Sequence, residues 1–211
     1  TLAHGDAVCQ TAHRADCPFP QEMRYELPGL VIDNCAMAGR SSKTFREEGR
    51  LDDIAAHIRP GDLLVVSFGH NDANRAKAER YVPADAFGES LRPFWDAARS
   101  HGAVCIFASP VAMREFDEAG VCHPSFAAYR EAMRAFAAEV GAPFIDLGAA
   151  TAAANTALGA ERCKARYMWV GAKQDNAHQQ NAGACRTAQA FVQQLLQDTT
   201  PALDVLRANF K

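Results

Sequence analysis

The sequence predicts a three-layer α/β/α fold built on a mostly parallel sheet, and three observations carry that prediction. Apolar runs such as Leu63-Leu64-Val65-Val66 and Val104-Cys105-Ile106-Phe107 are continuous rather than alternating, as in strands covered on both faces. Longer stretches between them place apolar residues at helical spacing. Proline and glycine punctuate the joins, at Pro28-Gly29, Pro60-Gly61 and Pro110. Strands alternating with helices are the sequence form of βαβ units, and about five strands is an ordinary number for such a sheet.

In chain order, residues 1–4 read as a short strand entering the turn Gly5-Asp6-Ala7. Pro18 and Pro20 precede a helix from Gln21 that ends at Pro28-Gly29. Residues 30–34 read as a buried strand and 39–43 as a loop. A helix over 45–58 turns Leu51, Ile54, Ala55 and Ile58 inward. The strand at 62–68 leads into Gly69-His70-Asn71-Asp72. A helix over 84–100 gathers Phe87, Leu91, Phe94, Trp95 and Ala98 on one face, and the strand at 103–109 closes on Pro110. A helix over 125–140 points Tyr129, Met133, Phe136 and Ala137 inward. A short strand at 143–147 and an alanine-rich helix over 151–158 follow. The last strong helix, 182–197, buries Ala184, Ala188, Phe191, Val192 and Leu195. The tail from 199 packs as a short helix or frays. With no repeat, low-complexity tract or linker in 211 residues, one domain spanning 1–211 is expected.

Composition narrows the function. A net charge of −3 with no long run of one sign argues against nucleic acid or an anionic membrane as the main partner. The longest apolar stretches, 63–68 and 104–108, are far too short to span a bilayer. No signal peptide or lipidation motif is visible, and the chain opens on Thr1, so processing or trimming of the N-terminus is expected. Seven cysteines at irregular spacing, without CxxC, suit a reduced, cytoplasmic protein. A secreted form with Cys9 bonded to Cys17 is the alternative. A homo-oligomer stays open.

One segment carries the chemistry, Gln174-Asp175-Asn176-Ala177-His178. A carboxylate three residues before a histidine can accept its Nδ1–H, fix the tautomer and stabilise the imidazolium, leaving Nε2 as the base. The pattern alone is weak, and a solvated acid beside an ordinary histidine competes with it. Functional loops of parallel sheets gather at the C-terminal ends of strands. Gly5-Asp6-Ala7, Gly39, Gly69 to Asn71 and residues 175–178 all fall at such ends.

Together, Gly5-Asp6-Ala7, Asn34-Cys35-Ala36-Met37-Ala38-Gly39-Arg40-Ser41-Ser42, Phe68-Gly69-His70-Asn71-Asp72 and Asp175-Asn176-Ala177-His178 resemble the four sequence blocks of the SGNH, or GDSL-type, hydrolases. The rhamnogalacturonan acetylesterase-like branch is most similar, and the stretch from Ser109 to Gly120 also resembles it, with Met113-Arg114 where that branch often has paired arginines. The likeness covers nearly the whole chain. It implies a flavodoxin-like α/β/α fold and a serine ester hydrolase removing acetyl groups from oligo- or polysaccharide, with no cofactor and no metal. His178 is then the base and acid, and Asp175 its orienter. The backbone N–H of residue 7, the backbone N–H of Gly39 and the side chain of Asn71 form the oxyanion hole. A lipase, lysophospholipase or thioesterase of the same fold is an alternative.

The nucleophile is missing. Where the family has serine after the first-block aspartate, this chain has Ala7, which has no oxygen to attack an ester. A deliberate serine-to-alanine change in an active esterase and a natural carbohydrate-ester binding pseudoenzyme both fit. The otherwise complete site favours the first. Ser41, Ser42 and Ser67 are discounted as substitutes. His70 with Asp72 suggests metal ligands, but a loop shaped around Asn71 is favoured because no third ligand stands at metal spacing. Arg40 and His70 are candidate substrate contacts, with Lys43 beside Arg40; solvated loops are the alternative. His4 and His123 lie near loop ends and are read as solvated or packed. Asp6 reads as a turn residue. No GxGxxG or Walker pattern supports nucleotide binding.

Overall fold

The computed structural model describes residues 34–209. Among these, two compact units alternate along the chain. One comprises Gly39–Pro110 and Phe126–Ile145, and the other residues 34–38, Val111–Ser125 and the residues from Asp146 onward. The architecture is α/β, as the sequence predicts. The expected elements at 1–4, 17–27 and 30–33 lie outside the described residues. Asn34 belongs to no regular element, and its Oδ1 accepts the Ala36 N–H at 3.1 Å, closing a turn instead.

The first unit contains α1 (Ser42–Glu47), α2 (Arg50–Ala55), β1 (Leu63–Val66), α3 (Ala84–Ser100), β2 (Val104–Ala108), α4 (Ala127–Val140) and β3 (Phe144–Ile145). The strands form a parallel sheet in the order β1-β2-β3, with Leu63 opposite Val104 and Phe107 opposite Phe144. Helix α3 packs on β1 and β2, and α4 on β2 and β3. Their inward faces are those the spacing predicts, except that Trp95 on α3 is only half-buried. Phe87, Leu91, Phe94 and Ala98 are buried on α3, and Tyr129, Met133, Phe136 and Ala137 on α4. Aromatic edges lock the elements together: Phe107 of β2 meets Phe136 of α4 at 5.5 Å, and Phe87 of α3 meets Tyr129 of α4 at 5.1 Å between ring centroids. Each such side chain contributes roughly 1.5–3 kcal/mol by leaving water.

Two expectations in this unit need correction. The helix expected over 45–58 is two helices, because Gly49 turns left-handed at φ 74° between them. The first starts earlier than expected: the Ser41 side chain accepts the Thr44 N–H while the Thr44 side chain accepts the Ser41 N–H, a capping box. The strand expected at 143–147 spans only Phe144–Ile145. Asp146 then caps the next helix, its Oδ1 accepting the Ala149 N–H at 3.1 Å.

The second unit contains α5 (Leu147–Leu158), α6 (Ala160–Cys163), a 3₁₀ turn (Lys164–Arg166), β4 (Tyr167–Val170), β5 (Lys173–Gln179), α7 (Asn181–Gln197), a further 3₁₀ turn (Pro201–Leu203) and α8 (Asp204–Asn209). The sequence reading contains no counterpart of the antiparallel β4–β5 hairpin. Tyr167 is fully buried in it, its hydroxyl donating to the Ala112 carbonyl at 2.7 Å and accepting from Asn155 Nδ2 at 2.8 Å. On α7 the buried stripe is Gly183, Ala184, Thr187, Phe191 and Leu195. The expected Ala188 and Val192 are only half-buried, and Thr187 is buried instead, its hydroxyl donating to the buried Gln179 Oε1 at 2.9 Å. Apolar periodicity does not register such a polar pair. Gly183 lets α7 start directly on the preceding turn: a Cβ there would stand 2.2 Å from the Arg166 carbonyl oxygen.

Candidate active site

Asp175 and His178 lie on β5, not on the free loop that the sequence suggests. The strand is irregular where they stand. Tyr167 faces Gln179 but Trp169 faces Gln174, so two steps along β4 are matched by five along β5. The surplus residues bulge, and bulges re-aim side chains without ending the pairing. Here the bulge folds Asp175 back over its own backbone. Oδ1 accepts the N–H of Ala177 and of His178, both at 2.9 Å, and Oδ2 meets His178 Nδ1 at 2.7 Å. A carboxylate acceptor places the imidazole proton on Nδ1 and the lone pair on Nε2.

Burial raises the Asp175 pKa, but the two backbone N–H bonds and the His178 imidazole outweigh it and hold it at about 2. The acid therefore stays ionised across the neutral range and can stabilise an imidazolium. Lys173 Nζ, 3.6 Å from Oδ2, adds a further positive charge.

Neighbours in the same unit pin the bulge. The Asn176 carbonyl accepts the Arg114 N–H at 2.7 Å. Asn176 Oδ1 accepts from Arg114 Nη1 at 3.1 Å and from Trp169 Nε1 at 2.9 Å. The Arg114 guanidinium also donates through Nε and Nη2 to the Ala160 carbonyl and lies 4.7 Å from the Trp169 ring centroid. Arg114 thus fastens Asn176, next to Asp175, to the start of α6.

A second acid–histidine pair makes a useful contrast. His123 Nε2 is also 2.7 Å from a carboxylate, Asp117 Oδ2, and holds that acid below its usual range. Its side chain is 66% exposed, against 30% for His178. Distance does not separate the two pairs. Asp117 also accepts a backbone N–H, from Val121 at 2.9 Å, so it is burial that separates them.

In the first unit, the segment after β1 turns on Asp72, whose side chain is fully buried. Its Oδ1 accepts the Ser42 N–H at 2.9 Å and the Ser42 hydroxyl at 2.6 Å, and Oδ2 accepts the Gly69 N–H at 3.0 Å. Burial raises its pKa, and these bonds only partly offset the rise. The carboxylate that suggested a metal ligand therefore ties the start of α1 to the end of β1. Gly69 has φ 132°, and a Cβ there would meet Pro110 Cγ at 2.8 Å, so this turn needs glycine.

Asn71 stands between these anchors, and Arg80 Nη1 donates to its Oδ1 at 3.1 Å. Gly39 adopts φ 75° beside the same guanidinium. The sequence reading missed Arg80, which lies in an irregular loop with no spacing motif to mark it.

The remaining candidates divide. Ala7, His4 and Asp6 lie outside the described residues. Ser41 and Ser42 are fully buried, Ser41 as a helix cap and Ser42 on Asp72, so neither is placed as a nucleophile. Arg40, a candidate substrate contact, directs Nε at both carboxylate oxygens of Glu48, at 2.9 and 3.0 Å. His70 packs its ring edge-on against Phe126 at 4.8 Å. Phe126 takes the left-handed φ of 54° at the start of α4, the one non-glycine residue to do so among those described. Such strain costs about 1–3 kcal/mol and survives where surroundings enforce it.

Residues 3–184 match the GDSL-like lipase/acylhydrolase family, and the chain is a member of it. It is 35% identical over 187 residues to the rhamnogalacturonan acetylesterase RhgT of Bacillus subtilis, covering 84% of this chain and 79% of that protein. It is 39% identical over 156 residues to the probable rhamnogalacturonan acetylesterase YesY of the same organism, covering 74% and 71%. Among solved structures, the YxiM protein of Bacillus subtilis superposes with a TM-score of 0.73 at 28% identity, over 83% of this chain and half of that one. An acetyl xylan esterase from Geobacillus stearothermophilus shares the fold, with a TM-score of 0.61 at 20% identity over 82% of this chain and 76% of that one.

Proposed function

We propose that the chain is a carbohydrate O-acetylesterase whose nucleophile position is occupied by alanine. The observation that carries this is the Asp175–His178 pair, joined at 2.7 Å, with the acid fixed by two backbone N–H groups. The acetylesterase relatives support the substrate class.

With serine at position 7, its Oγ attacks the acetyl carbonyl and His178 Nε2 takes the hydroxyl proton. The backbone N–H of residue 7, the Gly39 N–H and the Asn71 amide hold the tetrahedral oxyanion. His178 then returns the proton to the departing sugar oxygen, leaving an acetyl-enzyme. Water, deprotonated by the same imidazole, releases acetate. No step calls on a metal or an organic cofactor.

The experiment is acetate release by the Ala7→Ser protein from acetylated oligosaccharides, compared with release from a long-chain acyl ester. Faster turnover of the acetylated sugars is expected. Preference for the long chain would move the reading to a lipase of the same fold. A second reading rests on Ala7 itself, which leaves the site unable to form an acyl-enzyme: a module that binds carbohydrate esters without cleaving them. Binding of acetylated sugar by the Ala7 protein, with no gain of hydrolysis on Ala7→Ser, would favour it.

A further inference from the structure

An oxyanion hole works only if its donors already point at the developing charge. A backbone N–H is fixed by the chain. An asparagine amide is not, because its carbonyl and NH₂ ends are nearly the same shape and can exchange by a half-turn about χ2. Pointed the wrong way, Asn71 would present an acceptor to an oxyanion and repel it. Something must decide which end faces outward, and the first unit contains that group.

Arg80 Nη1 donates to Asn71 Oδ1 at 3.1 Å. A guanidinium has donors and no acceptor, so it can bond only to the carbonyl end. With Oδ1 held there, Nδ2 and its two hydrogens take the opposite side. The bond also draws charge toward Oδ1 and makes the N–H bonds stronger donors, as in other linked hydrogen bonds. The same guanidinium stands against the second proposed donor. From a Cβ built on Gly39, Arg80 Nη1 is 3.6 Å away and Cζ and Nη2 are 3.9 Å away. One group therefore meets both turns.

The loop that carries Arg80 is itself held in place. Arg80 N and Tyr81 N donate to the Lys77 carbonyl at 2.9 and 3.0 Å, and Val82 N donates to the Asp72 carbonyl at 3.0 Å. Tyr129 Oη donates to the Val82 carbonyl at 2.7 Å. Glu79, 3.7 Å from Arg80 Nε, balances part of the charge.

We propose that Arg80 is a positioning residue for the oxyanion hole, setting the orientation of the Asn71 amide. The proposal rests on the esterase reading of Asn71. Its test uses the Ala7→Ser protein and 4-nitrophenyl acetate, a neutral ester that offers no charge to an arginine. Arg80→Met should lower kcat about tenfold or more, a share of the roughly 100- to 1,000-fold that an oxyanion donor supplies. KM and the pH profile should hold, and Arg80→Lys should recover part of the loss. In an Asn71→Ala background, Arg80→Met should add less than about twofold, because a residue acting through Asn71 has nothing left to orient.

Losses that multiply in the double variant, or that fall on KM alone, would overturn the proposal. An inactive but folded Ala7→Ser protein would instead overturn the esterase reading. In that event the side-chain amide signals of Asn71, read by ¹⁵N NMR in the Ala7 protein, still decide the role of Arg80. They should move markedly on Arg80→Met, and unchanged signals would refute the orientation.

Discussion

Asp175 shows how one residue can be read and tested. Its carboxyl is held at about 2 against an ordinary 3.8, so the folded chain binds that proton more weakly than the unfolded chain. The stabilisation it gives is complete above about pH 4 and is lost as pH falls toward 2. Carboxyl NMR titration should place its midpoint near 2, and Asp175→Asn should flatten the fall in urea midpoint between pH 5 and pH 3. A midpoint near 4 would remove the bonds from Ala177 and His178. Asp72 makes a different prediction. Asp72→Ala leaves the Ser42 N–H, the Ser42 hydroxyl and the Gly69 N–H without their buried acceptor. Unsatisfied buried donors cost about 1–3 kcal/mol each, so urea unfolding should show a loss of about 3 kcal/mol or more. A loss below about 1 kcal/mol would mean that the anchor is dispensable.

At the scale of the elements, the β4–β5 hairpin explains both what the sequence revealed and what it hid. Asp175 and His178 are legible as a pair because an acid three residues before a histidine can reach its ring, as it does at 2.7 Å. Their strand is not, because Lys173-Gln174-Asp175-Asn176-Ala177-His178-Gln179 has no apolar alternation and its turn is Gly171-Ala172 rather than a strong hairpin pair. The pairing is imposed by buried Tyr167 and Gln179, a tertiary effect outside any local pattern. The α3 and α4 faces, by contrast, are legible apart from the half-buried Trp95, because burial of an amphipathic helix is written in its period. Gly183 tests how closely α7 must sit on this hairpin. Gly183→Ala puts a methyl where only 2.2 Å separates it from the Arg166 carbonyl oxygen. A loss of about 1–3 kcal/mol in thermal or urea unfolding is expected, the usual cost of overpacking. An unaltered midpoint would show that the helix start can shift freely.

Across the whole chain, family membership follows from a match over residues 3–184, and the fold class from the alternation of strands and helices. Arg80 shows the limit of a linear reading. It reaches Asn71 and Gly39 by side-chain length across an irregular loop, and no periodicity records that. The central claim is that this chain is an ester hydrolase lacking one oxygen. Its most direct test is kcat on 4-nitrophenyl acetate for three folded proteins: the Ala7 chain, Ala7→Ser, and Ala7→Ser with His178→Ala. Nucleophile and base act as a unit in triad hydrolases, and loss of either removes several orders of magnitude. The account predicts a gain of roughly 1,000-fold or more on restoring serine and the loss of most of that gain when His178 is removed. A folded Ala7→Ser protein no faster than the Ala7 chain, or one indifferent to His178→Ala, would contradict it.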